Sequence, residues 1–132
     1  MLFVEPIKDQ AILREIPLRV LAHLGDAVLD LFEREHKLIE SVSAKQLHKN
    51  VTARVSAASQ AQILDKISEK LTENELDLVR RARNVKVSGR HRSSQNIYRK
   101  ATAFEALIGF LHLCDQDRLK EILILTAELN IE

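Results

Sequence analysis

The stretch from Ala101 to Cys114 reads ATAFEALIGFLHLC, and Glu105 is its only charged residue. At about 100° per residue, its large apolar side chains surround the helix axis, which is typical of a helix buried on all sides. A buried carboxylate is costly unless a cation, hydrogen-bond donors or a metal ion compensates its charge. The pattern therefore predicts a central helix with Glu105 as a candidate functional residue. A buried ion pair with Arg83 or Arg99 is the alternative.

A second candidate acid, Asp26, lies far upstream in LGDAVLD, residues 24–30. We predict a helix from about Leu18 to His36 there, with Asp26 on its polar face. Gly25 costs about 1 kcal/mol relative to Ala inside a helix, which favours close approach of another backbone or a ligand. From spacing alone, a solvated position remains the alternative for Asp26. The predicted apolar face is centred on Leu24 and comprises Val20, Leu21, Ala27, Val28, Leu31 and Phe32.

Two further acids, Asp30 and Glu33, follow on the same polar face of this helix. We interpret Glu33 as solvated and leave the role of Asp30 open. The apolar face of this helix exceeds what a small monomer needs to bury, which is consistent with a dimer.

Hydrophobic periodicity and capping signals predict helices along the whole chain and no convincing strand. The 132 residues are expected to form one all-α domain, a bundle of five to seven helices, with no further domain after it. The predicted helices cover about 9–15 with Asp9 as cap, 18–36, 43–70 after a capping box at Ser43, 72–84 with Leu76 and Val79 inward, 97–114, and 116–129 capped by Asp115.

Charge is unevenly distributed, although the net charge is only +1. Residues 78–104 contain no Asp or Glu but are rich in Arg and Lys, which favours a surface for a polyanion over an ordinary solvated helix face. The single cysteine, Cys114, excludes an internal disulfide and a cysteine-rich zinc site. No segment has the length and apolarity of a membrane span or a signal peptide, so we expect a cytoplasmic protein.

Both acidic stretches resemble motifs of one enzyme family. LGDAVL, residues 24–29, resembles the ribonuclease III signature, and TAFEALIG, residues 102–109, resembles that family's second acidic motif. Thr102 stands where the long enzymes have Asp, as in the short Mini-III form that lacks a double-stranded-RNA-binding domain. RARNVK, residues 81–86, and the pair Tyr98 and Arg99 are also similar to Mini-III segments.

This resemblance implies a metal-dependent endoribonuclease that cleaves double-stranded RNA to 5′-phosphate and 3′-hydroxyl ends. It further implies a homodimer that matures 23S ribosomal RNA, and it leaves open a ribosomal protein as an additional partner. Asp26 and Glu105 would hold Mg²⁺, or Mn²⁺ in its place, and would be the catalytic acids. The other metal-site acids of the long enzymes are replaced here by Arg19, Ala22 and Thr102.

A chain without an accessory RNA-binding domain must supply its own RNA contacts, and the basic segment is the candidate. A non-catalytic RNA-binding dimer that assists ribosome assembly is the main alternative function. A helical interaction domain with no RNA partner is the third. The predicted RNA-binding residues are Arg83, Asn84, Lys86, Arg90, Arg92, Arg99 and Lys100.

Overall fold

A computed structural model describes residues 5–85 and 95–131, which form seven α-helices and a short 3-10 turn without any strand. The predicted all-α class is therefore confirmed. The helices are α1 (Gln10–Glu15), α2 (Leu18–Lys37), α3 (Ala44–Val55), α4 (Ala57–Ile67), α5 (Glu73–Arg83), α6 (Gln95–Cys114) and α7 (Gln116–Ala127), with the 3-10 turn at Ser68–Lys70. None of the helices in these ranges is long and apolar enough to cross a membrane.

Helix α6 lies at the centre of the bundle, as its apolar sequence predicts. It packs against α2, α4, α5 and α7. Phe104, Leu107 and Ile108 are fully buried, and burial of each such side chain stabilises the fold by about 1.5–3 kcal/mol. The core is thus built around the helix that carries Glu105.

Helices α2 and α6 meet through two glycines, so that their backbones touch. A Cβ atom added to Gly25 would lie 1.7 Å from the carbonyl oxygen of Glu105. A Cβ atom on Gly109 would lie 2.0 Å from the carbonyl oxygen of Leu21. No side chain fits at either position. The close approach inferred for Gly25 is that of a second backbone, and it places Asp26 next to the Glu105 turn.

The glycine contact also decides which face of α2 is buried, and here the predicted face is wrong in part. The buried residues include Leu21, Gly25 and Leu29. Val20 and Leu31, which were predicted to face the core, are 55% and 51% exposed. The face that contains the glycine is buried because only there can the two backbones approach so closely. A strip of apolar side chains on α2 consequently remains at the surface of the monomer.

The interpretation of Glu33 as a solvated residue is wrong. Glu33 is only 4% exposed, and its Oε1 lies 3.4 Å from Nε of Arg54 on α3. The Arg54 guanidinium also donates hydrogen bonds to the carbonyl oxygens of Thr126, at 2.8 Å, and Leu129, at 3.2 Å. One ion pair therefore ties α2, α3 and the end of α7 together.

We expect Arg54→Met to lower the free energy of unfolding by about 3 kcal/mol, because it leaves the Glu33 carboxylate buried without its cation. Urea denaturation monitored by circular dichroism measures the loss. Arg34→Met is the matched control, since the Arg34–Asp30 pair on α2 is exposed and such pairs contribute less than about 1 kcal/mol. Equal losses in the two variants would contradict this role of Arg54.

The predicted helix over 43–70 is in fact two helices and a 3-10 turn. Ser56 has an extended backbone, and its Oγ accepts a hydrogen bond from the backbone N–H of Ser59, at 3.2 Å, as the N-cap of α4. Serine stabilises a helix start through such a bond at the expense of helix continuity. Leu76 is 42% exposed rather than inward, whereas Val79 is buried as predicted. Caps predicted at Asp9, Ser43 and Asp115 are confirmed. Only half of the capping box predicted at Ser43 forms, because Oε1 of Gln46 accepts its hydrogen bond from the backbone N–H of Val42.

Candidate active site

The side chains of Asp26 on α2 and Glu105 on α6 meet where Gly25 and Gly109 bring the two helices together, a contact that we call the glycine crossing. Burial, the charge of Asp26 and a side-chain hydrogen bond with Asp26 together raise the pKa of Glu105 from its usual 4.5 to about 8. All three causes act in the same direction. Neither Arg83 nor Arg99 therefore neutralises Glu105 in the way that the ion-pair alternative requires. Two carboxylates this close are stable only when they share a proton or hold a cation between them.

The two acids lie at the wall of a cavity of about 320 Å³. Asp26 itself is exposed, and Glu105 is half-buried. The cavity is therefore open to a ligand from solvent while its floor belongs to the core helix. The remaining lining residues are Arg19, Ala22, His23, Val85, Tyr98 and Thr102.

The donor set fits a hard, partly hydrated divalent cation. Mg²⁺ prefers oxygen ligands and retains several waters, so two carboxylates from different helices are sufficient to bind it. Within residues 5–85 and 95–131, no group of three or more His, Cys, Asp or Glu side chains is placed to hold a metal ion. Asp26 and Glu105 are thus the candidate ligands within that part of the chain, and the repulsion between their charges is the feature that a cation would relieve.

The structure describes four of the seven predicted RNA-binding residues. Arg83 and Asn84 are exposed at the end of α5. Arg99 and Lys100 lie near the start of α6, where the Nζ of Lys100 is 3.0 Å from Oδ2 of Asp65 on α4. Lys100 therefore has an intramolecular partner with which RNA would compete. The predictions for Lys86, Arg90 and Arg92 fall outside the described residues.

Sequence reasoning did not assign a site role to Arg19, His23 or Tyr98, all of which line the cavity. Arg19 was noted only for replacing an acid of the long enzymes, and Tyr98 only for its similarity to a Mini-III segment. The available signal was helical spacing, because Arg19 precedes Asp26 by seven residues and residues so spaced lie on one face of a helix.

Comparison with known proteins connects this geometry to a family. The ribonuclease III domain matches residues 19–116, a range that includes both acids and both glycines of the crossing. The chain belongs to the ribonuclease III family. Membership of the ribonuclease III family, which was predicted from the two acidic motifs, is therefore confirmed. The all-α fold class is confirmed as well.

Several curated relatives of this chain are named Mini-ribonuclease 3. The chain is 42% identical over 113 residues to Mini-ribonuclease 3 of Thermosynechococcus vestitus, covering 86% of this chain and 75% of the relative. It is 42% identical over 120 residues to Mini-ribonuclease 3 of Gloeobacter violaceus, covering 91% and 89%. A crystal structure of a Fusobacterium nucleatum protein superposes with a TM-score of 0.79 at 32% identity, covering 88% of this chain and 96% of that one. The prediction of a Mini-III-type endoribonuclease is confirmed.

The raised pKa of Glu105 predicts how stability depends on pH in this ribonuclease III domain. Between about 4.5 and about 8 the folded state holds a proton at Glu105 that the unfolded state has released. Without divalent ions, stability should therefore fall as the pH rises through this window. After allowance for solvent screening, we expect a contribution on the order of 2 kcal/mol.

Urea denaturation in EDTA at pH 5 and at pH 8.5 measures this dependence. Glu105→Gln is the control, because the amide carries no titrating proton while it keeps the size of the side chain. The difference in the free energy of unfolding between the wild type and Glu105→Gln should be greater at the higher pH. The variant should be the more stable protein there. Parallel pH profiles would show that Glu105 titrates normally.

Proposed function

We propose that this chain is a divalent-metal-dependent endoribonuclease acting on double-stranded RNA, with Asp26 and Glu105 as its metal ligands and catalytic acids. The contact between these two carboxylates in an open cavity is the observation that carries the proposal. In a structural ion pair, a cation would lie beside Glu105. Here a second acid, Asp26, lies beside it, and the charge of Asp26 and burial both raise the pKa of Glu105. Members of the ribonuclease III family use divalent ions in this role, which supports the assignment.

The chain's own contribution to the reaction is to hold ligand oxygens at a fixed spacing. Asp26 and Glu105 would hold Mg²⁺ or Mn²⁺, which would supply an acidified water and relieve negative charge at the phosphorus centre. Glu105 is anchored by the buried helix α6, and Asp26 is fixed relative to it by the contact between Gly25 and the Glu105 carbonyl. Both carboxylates must be deprotonated to bind the ion, so metal binding displaces the proton that burial favours on Glu105. Attack by water with the 3′-oxygen leaving gives 5′-phosphate and 3′-hydroxyl ends.

Double-stranded RNA is the substrate class that the family membership and the charge distribution support. Duplex RNA is bound mainly through phosphates and 2′-hydroxyls. Arg83 and Asn84 are exposed at the end of α5, and Val85, the next residue, lines the cavity. We propose that Lys86, Arg90, Arg92, Arg99 and Lys100 extend this surface. Precursor 23S ribosomal RNA in the cytoplasm is the expected substrate by resemblance to Mini-III, with a ribosomal protein as an optional partner.

We further propose that the working form is a homodimer. Val20 and Leu31 lie on a strip of α2 that is turned away from the core and half-exposed. Leu38, Ile39 and Val42 follow at the end of the helix and are 61%, 95% and 90% exposed. Several exposed apolar side chains on one helix and the segment after it favour a protein–protein contact. Family members usually act as dimers, which supports a second copy as the occupant.

The test is incubation of the purified protein with a uniformly labelled RNA duplex in Mg²⁺ and, separately, in EDTA. We expect discrete products only in Mg²⁺, with 5′-phosphate ends that accept label from a kinase only after phosphatase treatment. A single-stranded RNA of the same sequence is the substrate control and should remain intact. Retention of the duplex in a gel without any metal-dependent product would favour the non-catalytic RNA-binding alternative instead.

A further inference from the structure

Arg19 shares the cavity of the two acids. It lies on α2, seven residues before Asp26. Seven residues amount to about 10.5 Å along the axis and almost two full turns, so the two side chains emerge from the same face of the helix. Both line the 320 Å³ cavity that also contains Glu105. A ligand bound in this cavity would therefore lie against Arg19 and both acids.

Arg19 can balance the negative charge of a phosphate in the cavity, which the two acids cannot do. Asp26 and Glu105 together carry two negative charges when ionised, and one divalent ion cancels them. An RNA strand brings further negative charge, which increases on the reacting phosphate during cleavage. Among the cavity-lining residues within 5–85 and 95–131, Arg19 is the only Arg or Lys. Within these ranges, Arg19 is thus the cationic residue of the cavity wall that can meet the charge of a phosphate bound there.

The chemistry of arginine suits this position. Its planar guanidinium presents several N–H donors in a fixed geometry that matches two phosphate oxygens at once. It remains charged at every working pH, so its action does not depend on the titration of its neighbours. Arg19 is exposed, so its replacement should disturb the packed core less than replacement of a buried residue would.

We propose that Arg19 is a catalytic residue that binds an RNA phosphate in the cavity of Asp26 and Glu105 and stabilises the charge that develops there during cleavage. The inference rests on the proposed function, because it assumes that the cavity receives an RNA strand. It adds a protein cation to a site whose assigned residues are both acids.

The kinetic test compares Arg19→Gln, Arg19→Lys and the wild type in single-turnover cleavage of duplex RNA, with saturating protein and Mg²⁺. We expect Arg19→Gln to cleave about 10²- to 10³-fold more slowly, the loss found when one preorganised charge-stabilising donor is removed. Arg19→Lys should recover part of this loss, since it keeps the charge without the paired donors. Arg14→Gln, an exposed arginine outside this cavity, is the control and should cleave at the wild-type rate.

A binding test in EDTA separates the contact with phosphate from cleavage. The affinity for duplex RNA is measured from low to high salt, and loss of one phosphate contact should reduce the slope of log K against log salt by up to about 0.9. We expect this reduction in Arg19→Gln and not in Arg14→Gln. A purely structural role for Arg19 would leave the slope unchanged.

The outcomes distinguish this inference from the proposed function. If the wild type cleaves the duplex and the rate of Arg19→Gln is within threefold of the wild-type rate, the role of Arg19 is overturned. The nuclease assignment then stays intact. A slow Arg19→Gln variant that regains the wild-type rate at higher Mg²⁺ would also overturn the role of Arg19, because Arg19 would then act on metal affinity alone. If the wild type cleaves no duplex, the proposed function fails, and an unchanged salt slope would overturn the phosphate contact as well.

Discussion

Replacing Asp26 by Asn is expected to slow single-turnover cleavage of duplex RNA by at least about 10³-fold while RNA retention in a gel changes less than twofold. The amide keeps the shape of the side chain but removes one of the two charges that we propose as metal ligands. The site has no further acid among the cavity-lining residues of the described chain to replace it, and loss of an essential group from a catalytic unit typically removes most of the rate enhancement. The loss should persist at saturating Mg²⁺.

Asp30→Asn is the matched control for this experiment. Asp30 lies one helical turn beyond Asp26, and its Oδ2 is 3.0 Å from Nε of Arg34 at the surface. The same chemical change there should leave cleavage within about threefold of the wild type, which also resolves the role that its sequence position left open. Undiminished cleavage by Asp26→Asn would remove Asp26 from the mechanism. Equal losses in both variants would place Asp30 at the metal as well.

Gly25→Ala is expected to lower the free energy of unfolding by about 3 kcal/mol or more, although alanine is the better helix former. The added Cβ would lie 1.7 Å from the carbonyl oxygen of Glu105 and 2.9 Å from the backbone nitrogen of Gly109. These are backbone atoms of the most buried helix, which cannot rotate away as a side chain can. The overlap can be relieved only by separation of α2 from α6, so the cost should reach or exceed the upper end of the range of about 1–3 kcal/mol that is typical of an overpacked core.

Urea denaturation measures this effect, and the exposed position of Arg34 on the same helix provides the comparison. At that position Ala should be more stable than Gly by about 1 kcal/mol, which is the ordinary difference in helix propensity. At position 25 the order should reverse. The variant should also cleave RNA about 10²-fold more slowly even where it is folded, since a displacement of about 1 Å at reacting groups has that effect. If Gly25→Ala is more stable than the wild type, the two backbones are not in contact.

The features that could be predicted from sequence are those that depend on neighbouring residues. Asp9, Ser43 and Asp115 cap helices because each has a suitable side chain beside a helical pattern. The burial of α6 follows from its own composition. The two acids were paired through the resemblance of their motifs to one family, since spacing alone left both of them open to a structural explanation.

The features that were missed depend on contacts between distant parts of the chain. Hydrophobic periodicity ranked the apolar face of α2 above the face that contains Gly25, because a glycine contributes nothing to such a pattern. The importance of Gly25 follows from its close contact with Gly109 on α6, which the pattern within α2 does not show. Glu33 was taken for a surface acid because Arg54 and the carbonyl oxygen of Thr126 come from other helices. The spacing between Arg19 and Asp26 was visible in the sequence, but Arg19 was overlooked as a site residue because the cavity that both line forms only when α2 and α6 come together.

The glycine crossing separates the geometry of the two acids from the identity of the residues around them. The distance between α2 and α6 at this point is set by backbone atoms, which every amino acid shares, and not by the volume of apolar side chains. Leu29 or Leu111 can therefore be exchanged for another apolar residue with a change in stability but little change in the spacing of Asp26 and Glu105. The relative placement of the two carboxylates therefore depends on Gly25 and Gly109 more than on the apolar residues that fill the core.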